Sequence, residues 1–215
     1  MGLSLSFIAS QGPDPLESLG LSADDKTLRA EPLPPPAKFV AFNLGGWRVV
    51  MSDDHRFASR ERVSAAAQRG VAIGVYMEEH VMVSGTFGAK DGQLTWSVQH
   101  DPEQGLEHLD VWGDPPGALA SIRERLLAEL REDDEVDTLF SAPLDLAAGV
   151  CGFHPHEYEG EVDLTVLSVA RKDLMKMREP GLSADPGPAA PAVAAVAVAE
   201  ATSRPGLLAR LFGRR

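Results

Sequence analysis

The stretch Val71-Ala-Ile-Gly-Val-Tyr-Met-Glu-Glu-His-Val-Met-Val-Ser-Gly-Thr-Phe-Gly-Ala-Lys-Asp-Gly-Gln-Leu-Thr-Trp-Ser-Val-Gln-His-Asp101 decides the fold. It is β-rich and alternates around Asp91-Gly92, a pair that favours a two-residue type I′ hairpin turn. A turn there sets Lys90 opposite Gln93, Phe87 opposite Trp96, Gly85 opposite Val98 and Val83 opposite His100. One face then collects Ile73, Val75, Met77, Val81, Val83, Phe87, Leu94, Trp96 and Val98. The other collects Tyr76, Glu78, His80, Ser84, Thr86, Thr95, Ser97, Gln99 and Asp101. A slip of one residue would mix the two sets, so turn chemistry and alternation agree. A third strand at 106–112 extends this meander. Pairing Val98 with Leu109 and Trp96 with Val111 puts His108, Asp110 and Trp112 on the polar face.

Working outward, Phe39-Val-Ala-Phe-Asn-Leu44 and Trp47-Arg-Val-Val-Met51 flank Gly45-Gly46 and read as a hairpin. Leu44 faces Trp47, Phe42 faces Val49 and Val40 faces Met51. Residues 59–69 suit a short helix, with Ser59 as N-cap and Gly70 as stop. At the start, residues 3–7 alternate and read as an edge strand. Residues 11–37 read as a long Pro-rich surface loop with one helical turn near Leu16 and Leu19. Downstream, Leu119, Ile122, Leu126 and Leu130 recur at helical spacing over 118–131. Residues 136–140 suit a short strand or helical turn, and 143–150 a short helix with Pro143 near its first turn. Residues 162–169 suit a strand, or the start of a helix running to Met177. The reading is an α+β fold: a central antiparallel β-meander with two or three packed helices, then a disordered tether and a short amphipathic tail. Its domain limits are 1–37 for the N-terminal strand and loop, 38–179 for the globular part, 180–203 for an Ala/Pro-rich linker and 204–215 for the tail.

Charge is segregated along the 215 residues. Residues 1–203 hold all 32 acids but only 16 of the 20 Lys and Arg, a net of −16. The tail adds Arg204, Arg210, Arg214 and Arg215 and no acid. An acidic body with a pI near 4.9 argues against nucleic acid as a partner and favours a basic one. If the tail is helical, Leu207, Leu208, Leu211 and Phe212 form one stripe and Arg210 and Arg214 another, a surface for docking on a partner, on its own acidic body, or weakly on an anionic membrane. Cys151 is the sole cysteine, so no internal disulfide forms, and it reads as a buried structural thiol in a cytoplasmic protein with at most peripheral membrane contact.

Chemistry-bearing residues gather on the polar meander face: Glu78, His80, Asp101, His108 and Asp110, with Trp112 as an exposed binding aromatic. Such a set is either the solvated side of a one-sided sheet or a His/carboxylate site for metal or acid–base work. Cys151-Gly-Phe-His-Pro-His-Glu157 lacks the second ligand pair of a zinc site and reads as a surface loop. No phosphate loop, nucleophile elbow, zincin or dinucleotide fingerprint is present, and nothing calls for a cofactor or a metal.

The phrases Gly46-Trp-Arg-Val-Val50, Glu78-Glu-His-Val-Met82, Trp96-Ser-Val-Gln-His-Asp101, and Val136-Asp-Thr-Leu-Phe140 followed by Pro143-Leu-Asp-Leu-Ala147, resemble small uncharacterised bacterial proteins. The resemblance covers about residues 38–158 and implies no catalytic residue. Charge balance and missing motifs together lead to the expectation of a non-enzymatic interaction module, of inhibitor or immunity type, meeting another protein. The alternative expectation is a metal-assisted or acid–base enzyme working from the polar sheet face.

Overall fold

A computed structural model describes residues 2–132 and 136–170. The expected linker at 180–203, the continuation towards Met177, and the docking residues Leu207, Leu208, Arg210, Leu211, Phe212 and Arg214 lie outside the described residues.

The described chain forms one nine-stranded antiparallel sheet and three α-helices. The strands are β1 Ser4–Gln11, β2 Leu21–Ala30, β3 Phe39–Leu44, β4 Trp47–Ser52, β5 Val71–Glu78, β6 Val83–Lys90, β7 Gln93–His100, β8 Asp110–Gly113 and β9 Val162–Val169. The helices are α1 Arg60–Ala66, α2 Ala118–Glu132 and α3 Ala142–Cys151. Across the sheet the order is β2-β9-β3-β4-β1-β5-β6-β7-β8.

This order explains why helices lie on both faces. β1 pairs antiparallel with β4 on one side and β5 on the other, so β4 and β5 run parallel. Parallel strands cannot be joined by a tight hairpin and need a crossover. Residues 53–70 make it, and α1 seats Val63 against Gly74 of β5. The return from β8 to β9 crosses the other face and carries α2 and α3. Two cores result. Leu5, Phe7, Val49, Met51, Val75 and Met77 pack under α3 with Phe153. Ile8, Val50, Phe57, Val63 and Phe87 pack under α1. α2 lies further out, with Leu126 and Leu130 against Leu139 and Ala142.

The hairpin of β3 and β4 has the expected register: Leu44 pairs with Trp47, Phe42 with Val49 and Val40 with Met51. The turn at Asp91-Gly92 also forms, with φ of 50° and 80°, and Lys90 pairs with Gln93. Two residues on, the expected register fails. A β-bulge at Thr95 shifts the ladder, so Gly88 rather than Phe87 lies opposite Trp96, and Phe87 lies opposite Ser97. The β6 side chains are therefore inverted relative to expectation. Ser84 and Thr86 turn inward with Met77 and Val75, while Phe87 turns to the α1 side. Glycine drives the change. A Cβ on Gly88 would stand 2.1 Å from Trp96 Cε2, and one on Gly85 would stand 2.3 Å from Tyr76 Cε1. The rings of neighbouring strands lie in the space that these two residues leave. Ser84 and Thr86 are fully buried and satisfied, Ser84 Oγ donating to the Phe140 carbonyl at 2.7 Å and Thr86 Oγ1 to the Gly74 carbonyl at 3.1 Å.

Other expectations change for identifiable reasons. The N-terminal strand is central rather than an edge, because both its faces are largely apolar, and of its two buried serines Ser6 donates its hydroxyl to the Asp54 carbonyl and accepts from Ala58 N–H. Residues 21–30, read as loop, form edge strand β2; its run of charged side chains suits an edge and hides the alternation. The third meander strand begins at Asp110, not at 106, and pairs Val98 with Val111 and Trp96 with Gly113. The first helix ends at Ala66 with Ala67 as cap, three residues before Gly70. Residues 162–169 are a strand, and 139–141 are a 3-10 turn. Among the described residues no helix is long and apolar enough to cross a membrane.

Candidate interaction face

The α1-side face of β5 to β8 is built from two cross-strand rows. Tyr76, Gly85, Gln99 and Asp110 lie side by side, and so do Gly74, Phe87, Ser97 and Trp112. Tyr76 lies over Gly85, stacks on Phe87 with centroids 5.7 Å apart, and donates its hydroxyl to Gln99 Oε1 at 3.1 Å. The Arg60 guanidinium sits 5.3 Å from the Phe87 centroid, a cation–π contact that fastens α1 to the row. Burial pushes the Tyr76 hydroxyl up to about 12, with the charges of Asp101 and Asp110 adding to the rise and Arg60 opposing it. Asp101 caps the turn at Pro102–Gln104, accepting from Glu103 N–H and from Gln104 Nε2, each at 3.0 Å. The Gln104 bond is the largest of the effects that hold its carboxyl below the usual range. Asp110 is exposed and Trp112 half-buried. Asp101, Asp110 and Trp112 thus share one face, as the alternation predicts.

Glu78 and His80 form a separate group at the corner where β5 ends. Glu78 Oε1 lies 2.5 Å from His80 Nδ1, and its Oε2 lies 3.2 Å from His55 Nδ1. Burial alone would raise this carboxyl, but hydrogen bonds from Ser4 and His80 and the charge of His55 hold it at about 2. Ser4 Oγ reaches the same His55 nitrogen that Glu78 meets, at 3.1 Å. A relay needs serine and carboxylate on opposite ring nitrogens, so this trio is not a hydrolytic triad. The next residue, Glu79, accepts from Leu3 N–H at 2.5 Å and lies 2.9 Å from His156 Nε2. No ion pair or hydrogen bond joins the corner group to Asp101, His108 or Asp110.

His108 lies in a turn before β8 and outside the ladder; its N–H donates to the Gly105 carbonyl at 2.9 Å. Its own carbonyl accepts from Nδ1 of His100, a residue that the alternation read passes over. His100 is fully buried, with Nδ1 at 2.7 Å from that carbonyl and Nε2 at 3.0 Å from Asp137 Oδ2. Both ring nitrogens thus face oxygen atoms. The signal was a histidine at an apolar parity position, two residues after Val98.

The loop after α3 is not the surface loop expected. Phe153 is fully buried and His154 nearly so, and the Cys151 thiol is pushed up by burial. His154 Nδ1 accepts from His156 N–H, and its Nε2 lies 3.3 Å from Asp145, which also binds Arg125. A shallow groove of about 210 Å³ beside α1, lined by Pro13, Pro15, Gln68 and Arg69, contains none of these groups. Among the described residues no three His, Cys, Asp or Glu are placed to hold a metal ion.

No family model matches the chain, and neither a curated protein nor a solved structure matches it.

Proposed function

We propose that the chain is a non-enzymatic interaction module, of inhibitor or immunity type, that meets a basic protein through the face of Tyr76, Gln99, Asp101, Asp110 and Trp112. The observation that carries this reading is the composition of the face. It has a half-buried Trp beside carboxylates and a fixed tyrosine row, the kind of rigid aromatic anchor that dominates protein interfaces. The basic tail at 204–215 supplies a second contact, and the protein works in the cytoplasm. A photo-cross-linking residue placed at Trp112 in living cells should give one discrete adduct that is absent when the same group replaces Lys26 on β2. Asp110→Asn should weaken that adduct. No adduct at Trp112, or equal adducts at both positions, sinks the reading.

Glu78 between His55 and His80 favours a second reading, an acid–base enzyme. A turnover screen of the full chain on ester and amide substrates, with Glu78→Gln beside it, tests it. No turnover, or equal turnover by Glu78→Gln, removes it.

A further inference from the structure

The two edges of the sheet are β2 and β8, and they are defended unequally. β2 carries Asp24, Asp25, Lys26 and Arg29, charges of both signs, and its pairing with β9 is broken between Ala23 and Thr27. Charges and irregularities of this kind keep other chains from adding a strand. β8 has neither a Lys nor a Pro, and its pairing with β7 is regular from Asp110 to Gly113. Among the described residues only β7 pairs with it, so its outer backbone groups face away from the sheet. Two apolar side chains lie open beside that edge, Val111 at 43% and Leu106 at 36% exposure.

The charge around β8 has one sign. From Asp91 to Ile122 the chain holds six acids, namely Asp91, Asp101, Glu103, Glu107, Asp110 and Asp114, and no Lys or Arg. A second copy brought edge to edge would set the same carboxylates against each other, and like charges across a strand pair are unfavourable. A basic strand meets the opposite condition.

We propose that β8 takes an extended basic segment of a partner protein as a further strand of this sheet. This rests on the interaction-module reading and names how the partner is held. Main-chain hydrogen bonds along β8 give the affinity, and alternate side chains give the selection. The incoming strand sets its basic side chains on the face of Asp110 and Trp112 and its apolar ones on the face of Val111.

The test uses the full chain and a capped octapeptide of alternating Lys and Val. Amide hydrogen exchange should show residues 110–113 protected on adding the peptide. The same peptide with N-methyl groups on its backbone should bind about tenfold more weakly, as should one of alternating Glu and Val. Val111→Lys, at an exposed position, should weaken binding by about tenfold, and Val111→Thr by less than about twofold. Equal binding of the methylated peptide, protection confined elsewhere, absence of binding, or a chain that dimerises through residues 110–113 each overturns the proposal. If the Trp112 cross-link in cells survives Val111→Lys unchanged, the interaction module stands and strand addition falls.

Discussion

A single methyl group separates Gly88 from an impossible neighbour. The Trp96 indole lies where a Cβ would be, and Trp96 is itself 8% exposed, with little room to retreat. Gly88→Ala is therefore expected to cost about 2–3 kcal/mol in urea unfolding, as overpacked cores do. A cost near zero would mean that the indole turns aside. Glu78 makes the second argument at this scale. Its carboxyl sits at about 2 in the fold against 4.5 for a free side chain, so its contribution is present above pH 4.5 and is lost as pH falls towards 2. Glu78→Gln should lower the urea midpoint at pH 7 and flatten the decline between pH 4.5 and 2. Parallel declines in both proteins would count against the bonded carboxylate.

Phe153 connects an element to the sheet. It meets Phe7 edge-on at 5.1 Å, Phe42 at 5.3 Å and Tyr158 at 5.5 Å, and so fixes the loop after α3 over β1 and β3. Phe153→Ala should cost about 3–5 kcal/mol in chemical denaturation, the usual range for a buried Phe truncated to Ala. A loss under 1 kcal/mol would show that this loop does not hold α3 in place. Elements of this kind were unequally legible. The β3–β4 hairpin, α1, α2 and α3 follow from local signals: paired glycines, Ser59, the Leu119 to Leu130 stripe, Pro143. The candidate face was legible at Asp101, Asp110 and Trp112, which lie beyond the bulge and keep their parity. It was not legible across β6. A glycine scores as blank in an alternation pattern, yet in space Gly85 and Gly88 are occupied by rings from β5 and β7. His108 was read into a strand because nothing local marks where β8 begins, and β2 was missed because an edge strand needs no apolar alternation.

At the scale of the molecule, β1 is the middle strand, with four strands on either side. It pairs with β4 from Ser6 to Ser10 and with β5 along all eight of its residues. The two halves of the sheet have no other ladder in common, since β4 and β5 meet only through β1. A chain starting after Gln11 should lose the cooperative unfolding transition of the full protein, measured by circular dichroism against urea. An intact transition would mean that the halves close on each other without it. The strand also carries Leu5, Phe7 and Ala9 into one core and Ile8 into the other, so both hydrophobic layers depend on the same eight residues.

That position has a consequence for assembly in time. β1 leaves the ribosome before either of its partners, and the later one, β5, is complete only when Glu78 has been made. Until then the strand is a small apolar peptide waiting for a slot that does not exist. Cut from the chain and supplied separately, the same peptide would be a ligand: a truncated protein with an open central slot would take it up by complementation, and recovery of the fold would report its binding.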